Sequence, residues 1–130
     1  MTFNNIYDFF KNDTDLLRYF DPMSSAKNNE EASLEVYHKL IEFSKNRDCT
    51  FKRSEIGYIF YSENLLISFC VKPEYRDKEH LKEFGDFVKR NLGDHFECYL
   101  YNINERALNY LKRLGMQVKD SNDLITLLYI

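Results

Sequence analysis

Residues 71–84 read VKPEYRDKEHLKEF, and the way they fold decides how the rest of the chain is arranged. Just upstream, LLISFCV at about 65–71 is apolar without alternation, as expected of a central strand covered on both faces. Pro73 ends it, since its ring nitrogen has no hydrogen to give a ladder. Downstream, Leu81, Phe84, Phe87 and Val88 recur at helical spacing with charge opposite, which predicts an amphipathic helix over 77–91. Gly93 suits its C-terminal cap. HFECYLY at about 95–101 alternates as a strand, with Phe96, Cys98 and Leu100 on one side. Strand, helix and strand in that order imply a right-handed parallel crossover.

Working outward, CTFKRSE at about 49–55 and IGYIFYSE at about 56–62 predict two strands that meander antiparallel into the third. The tight turn Ser62-Glu63-Asn64 has no glycine, so Asn64 is expected to take the positive φ. Before them, a helix over about 30–46 is expected to set Leu34, Tyr37, Leu40, Ile41 and Phe43 on one broad face. The first 25 residues predict one or two short helices, with Ile6, Phe9 and Phe10 and then Leu16, Leu17 and Phe20 as their apolar positions. Asp13 is the expected N-cap of the second, and Pro22 closes the segment. After residue 101, INERALNYLKRLG is a helix striped by Ile103, Ala107, Tyr110, Leu111 and Leu114, with Gly115 at its end. MQVK and LITLLYI finish as strands around the turn DSND. The expectation is a mixed α/β (α+β) fold on one sheet: an N-terminal helical segment over 1–27 and one domain over 28–130. Two readings of the first segment stand: it packs over the sheet, or it presents an apolar face to a partner.

The totals narrow the function. A chain of 130 residues suffices for one domain with a real core. A formal net charge of −3 gives no general electrostatic reason to expect nucleic acid or an anionic membrane. The longest apolar run is too short to span a bilayer. The first residues lack the basic then apolar pattern of a secretory signal, so a cytoplasmic setting is expected. Cys49, Cys70 and Cys98 are widely spaced and read as reduced thiols. His38, His80 and His95 fall in no metal-binding spacing, so no metal is expected.

The order of elements resembles the Gcn5-related N-acetyltransferase (GNAT) fold. Three segments carry the resemblance: the apolar strand closing in V-K-P-E-Y-R, the helix after it, and N-E-R-A-L-N-Y-L-K-R-L-G-M, where Asn104, Ala107, Gly115 and Met116 match the family's Asn-x-x-Ala…Gly-Phe segment. The resemblance implies an acetyl-CoA site. The free backbone of Phe69, Cys70 and Val71 would pair with the pantetheine arm. Arg76, Lys78, His80 and Asn104 would lie against the cofactor, with the pyrophosphate on main-chain amides at a helix N-terminus.

The chain departs from that pattern at three points. Aligned from Arg76, Glu79 and Leu81 stand where the loop's two glycines belong, and both carry the Cβ that close approach to phosphate forbids. Asp77 and Glu79 also bring negative charge to a dianion. Two unit charges about 5 Å apart, at an effective dielectric of about 20, repel by roughly 3 kcal/mol, or about a hundredfold in affinity. The family's thiolate-protonating tyrosine falls on Leu111, which has no proton to give, while Tyr110 lies about 100° around the helix. Tyr99 and Tyr101 read as sheet-packing aromatics, and Glu55 and Glu63 as solvated turn residues. The segment 104–115 is also similar to small GNAT-like phage proteins, among them acetyltransferase-like internal virion proteins of T7-like phages. The preferred reading is therefore a degenerate, non-catalytic module that meets a virion or host protein, in the host cytoplasm or the virion. The alternative is an active acetyl-CoA-dependent N-acetyltransferase for a small amine or peptide amine.

Overall fold

A computed structural model describes residues 1–130. Three helices come first: α1 (Phe3–Phe10), α2 (Leu16–Tyr19) and α3 (Asn29–Asn46). Strands β1 (Thr50–Arg53), β2 (Gly57–Ser62) and β3 (Leu65–Val71) follow, then a 3₁₀ turn over Pro73–Tyr75. The rest is α4 (Lys78–Leu92), β4 (Glu97–Tyr101), α5 (Glu105–Arg113), β5 (Gln117–Ser121) and β6 (Ile125–Tyr129). The six strands form one sheet in the order β1-β2-β3-β4-β6-β5, antiparallel except for the β3–β4 pair. The mixed α/β architecture is the expected one, and β3 and α4 lie within a residue of their predicted bounds.

Each face of the sheet has its own core. On one face, Ile6, Phe9, Phe10 and Leu16 from the first two helices and Leu40 from α3 pack on Tyr58, Phe60 and Cys70. Residues 1–27 thus lie over the sheet and help to build its core. On the other face, Phe84 and Val88 of α4 and Leu111 of α5 pack on Ile59, Leu66, Cys98 and Leu128. The alternation Tyr58–Ile59–Phe60 feeds both cores in turn, as the period of a strand requires. Asp77 caps α4 at its start and Gly93, at φ 87°, caps its end.

Three local expectations need correction. The β2–β3 turn places positive φ on Glu63 (52°), not Asn64. Asn64 instead gives its carbonyl to the Glu97 amide at 2.8 Å, tying the turn to β4. Asp13 does not cap α2; the N-cap position is Asp15, whose amide bonds to the Asp13 carboxylate at 3.1 Å. On α3, the inward residues are Ala32, Ser33 and Leu40, while Leu34, Ile41 and Phe43 are exposed. Small residues face inward because α1 lies close against α3.

Gly57 marks the tightest approach in the sheet. A Cβ there would stand 2.0 Å from the Cys70 carbonyl oxygen and 2.9 Å from the Phe84 ring. Gly57→Ala must move backbone, and overpacking of this kind costs about 2–3 kcal/mol. The expected outcome is a melting temperature lower by roughly 10 °C, read by circular dichroism; a change within a degree or two would show that the approach is not tight.

Candidate active site

The site begins as a failure of strand pairing. The parallel ladder between β3 and β4 consists of Leu65↔Glu97 and Leu66↔Cys98, and the strands then part. A bulge assists. In the β2–β3 register Phe60 faces Ser68 and Tyr61 faces Leu66, so Ile67 is an extra residue that bends β3. The remainder of β3, including Phe69, Cys70 and Val71, runs past the gap with no partner on β4. A cavity of about 740 Å³ fills the opening. Its walls are β3, Tyr99–Tyr101 of β4, the α3 residues Val36, Leu40 and Phe43, and Ala107 and Tyr110 of α5.

One end of the cavity is ionic. Asp13, just 1% exposed, receives the Arg76 guanidinium at 2.6 Å and the Arg106 guanidinium at 3.3 Å on the same carboxylate oxygen. Burial pushes the Asp13 carboxyl up, but the Arg76 hydrogen bond and the charges of both arginines outweigh it and hold it below the ordinary carboxylate value. Arg76 also donates from Nε to the Val71 carbonyl at 2.9 Å. The side chain of Asn29 pins the loop by donating to the carbonyls of Phe10 and Asp13. Arg106 is the less satisfied arginine. Its Nη1 is enclosed without a hydrogen-bond partner, 3.8 Å from the Asp15 carboxylate.

Farther along the wall, Lys39 pairs with Asp21 and lies over the rings of Phe20 and Tyr101 at 5.9 and 5.7 Å. The Tyr101 hydroxyl donates to the same Asp21 carboxylate at 3.3 Å. Tyr101 is thus a hydrogen-bonding wall residue, and Tyr99 lines the cavity while half exposed.

The remaining predicted site residues are distributed as follows. Lys78 and His80 stand on the first turn of α4, outside the cavity walls. There the Asp77 carboxylate accepts the His80 amide at 3.0 Å and contacts His80 Nδ1. That amide bond first, and then the imidazole, hold the Asp77 carboxyl below its usual range. Asn104 lines the cavity but caps α5, accepting the Ala107 amide at 3.2 Å. Leu111 lies in the core. Tyr110 reaches the cavity wall, and its hydroxyl donates to the Leu81 carbonyl at 2.7 Å; burial raises its pKa. Glu55 accepts the Tyr75 hydroxyl at 2.9 Å. Buried Cys70, bonded weakly to the Phe9 carbonyl, is pushed up to about 12, chiefly by burial.

The sequence reading missed the roles of Asp13, Asp21, Lys39 and Arg106. None sits in a local motif, since each acts through a partner at least 18 residues away. The one signal was a cluster of acids, Asp13, Asp15 and Asp21, around a short apolar helix.

The fold is that of the GNAT acetyltransferases, as three solved structures illustrate. The PaiA N-acetyltransferase of Thermoplasma acidophilum in complex with coenzyme A aligns at TM-score 0.59 and 16% identity, over 98% of this chain and 91% of that one. An acetyltransferase of Bacillus subtilis in complex with CoA gives 0.57 and 14%, over 100% and 93%. The N-acetyltransferase PseH of Campylobacter jejuni, in complex with acetyl coenzyme A, gives 0.51 and 14%, over 75% and 77%. At such identities the likeness is one of fold. No family model and no curated protein sequence matches the chain.

Asp13 provides a direct test of the ionic end. Removing one member of a buried pair costs about 3–5 kcal/mol, so Asp13→Asn should lower the melting temperature markedly at pH 7. Because the folded carboxyl titrates below its unfolded value, its stabilisation is full above about pH 4 and fades as pH falls through the folded pKa. The gap between wild type and Asp13→Asn is therefore expected to close in acid. A pH-independent gap would mean that the carboxylate's charge is not what stabilises the fold.

Proposed function

We propose that this protein is an acetyltransferase-like module of GNAT fold that does not transfer acetyl groups and acts by binding. One observation carries the reading: the chain's own side chains occupy the two seats that coenzyme A would use. At the N-terminus of α4, the Asp77 carboxylate takes an amide that a pyrophosphate would take. At the end of β3, Arg76 bonds the Val71 carbonyl that a pantetheine amide would bond. A pyrophosphate arriving at α4 has to displace the cap and then lie beside two carboxylates, Asp77 and Glu79. The acid step is also unsupported, because Leu111 is in the core and the Tyr110 proton is committed to the Leu81 carbonyl.

The exposed Leu34, Ile41 and Phe43 on α3 are compatible with a protein partner. On the phage likeness of residues 104–115, that partner is a virion or host protein.

A second reading, an active acetyl-CoA-dependent N-acetyltransferase for a small amine or peptide amine, is favoured by the open β3–β4 gap. Neighbours of the same fold are described in complex with coenzyme A or acetyl coenzyme A.

Thermal melting with acetyl-CoA separates the two. A ligand at about a hundred times its dissociation constant adds roughly 2.7 kcal/mol, several degrees for a domain of this size. The expected result is no shift at millimolar acetyl-CoA, and no acetyl transfer to a panel of amines and peptides. A saturable shift accompanied by release of free coenzyme A would establish the second reading instead.

A further inference from the structure

The cavity meets the cofactor loop only at its two ends: its walls include Arg76 and Leu81 but none of residues 77–80. A molecule can therefore fill it without touching the capped start of α4. The walls are mostly apolar, which suits a hydrophobic body. Their charges are unbalanced, with Lys39, Arg47, Arg76, Arg106 and Arg113 against Asp13 and Asp21. Arg76 and Lys39 hold the two carboxylates at their shortest contacts. Arg106 has a longer bond to the Asp13 oxygen that Arg76 already takes and a 3.8 Å ion pair with Asp15, and its Nη1 has no hydrogen-bond acceptor. The Arg106 side chain is 32% exposed and its guanidinium is incompletely bonded, so it can take one more anionic oxygen.

We propose that the cavity binds an amphipathic carboxylate, its aliphatic or aromatic body along β3 in the β3–β4 gap and its carboxylate on Arg106. Cationic ligands are disfavoured by the excess of positive side chains. Uncharged ones leave Arg106 as it is. Nucleoside diphosphates need the amides at 78–80, which the cavity does not include. The proposal does not require that acetyl-CoA fail to bind.

The test is titration of the whole chain by calorimetry with decanoate, decanol and decylammonium as probes. Decanoate should bind saturably with one site, and decanol and decylammonium at least about tenfold more weakly, the loss expected for a charge-assisted hydrogen bond. Arg106→Gln should weaken decanoate by a similar factor and leave decanol unchanged, while Arg106→Lys should retain much of the affinity. Should Arg106→Gln fail to fold, wild-type protein still decides, through NMR contacts between the decanoate methylenes and the methyls of Leu65, Leu100 and Ile125. No saturable decanoate binding, equal binding of decanol, or methylene contacts elsewhere on the surface would each overturn the assignment. Acetyl-CoA titrated into a separate, ligand-free sample reads the proposed function on its own: its binding would count against that function, and the decanoate titration would stand on its own result.

Discussion

Beyond Leu66, β3 runs through the middle of the molecule with a strand on one side only, and the rest of the site is a response to that. An interior strand with an open side leaves backbone groups without a strand partner, facing the cavity instead. The bulge at Ile67 bends β3 at the point where its pairing with β4 ends. Two remedies are visible. Arg76 folds back from the turn after β3 and supplies a donor to Val71. The first two helices close over the opening from the other side, with Phe9, Phe10 and Leu16 packed against Tyr58 and Cys70.

These two remedies are joined by one carboxylate. Arg76 cannot reach inward to Val71 without bringing a buried positive charge, and such a charge needs a counterion. Asp13 provides it from the N-terminal segment, 63 residues away in sequence. The ion pair therefore links α1–α2 to the open end of β3, and a residue placed where a helix cap was expected serves the tertiary structure instead. The arrangement leaves an inequality, since one carboxylate oxygen serves two guanidinium groups. Arg76 has the short contact and Arg106 the long one. The polarity of the cavity follows from this: its carboxylates are already engaged and its spare hydrogen-bonding capacity is cationic.

How much of this was legible in the sequence depended on the range of the interactions. β3, α4, β4 and α5 were readable because their signals are periodic and local: the unbroken apolar run of 65–71, the Leu81–Phe84–Val88 stripe, Pro73, Gly93 and Gly115. The fold followed from their order. The inward face of α3 was misread because Leu34, Ile41 and Phe43 are apolar at helical spacing. What decided the face was the closeness of α1, which selects Ala32 and Ser33. Glu63 took the positive φ in place of Asn64 because the Asn64 carbonyl is bound to β4, a constraint absent from the turn itself. The site's chemistry was the least readable part. Glu79, Leu81 and Leu111 were legible only as departures from the pattern the resemblance implies. The groups that line the cavity, Asp13, Arg106 and the Lys39–Asp21 pair, meet only after the chain has folded.

The start of α4 is a place where a helix cap and a bound anion would compete. A glycine-rich start leaves amides open to an anion but stabilises the helix poorly when no anion is bound. With Asp77 at the cap and Glu79 in the first turn, the helix carries its own negative charge at the positive end of its dipole. Each substitution that makes α4 more stable without a ligand makes a pyrophosphate less welcome, because the cap and the phosphate compete for the same amides with charge of the same sign. A pyrophosphate taking those amides would have to displace the cap of a helix whose Phe84 and Val88 anchor one of the two cores. The cavity in the β3–β4 gap is free of that competition. Its walls come from β3, β4 and the helices around them and include none of residues 77–80, so a ligand there does not compete with the cap of α4.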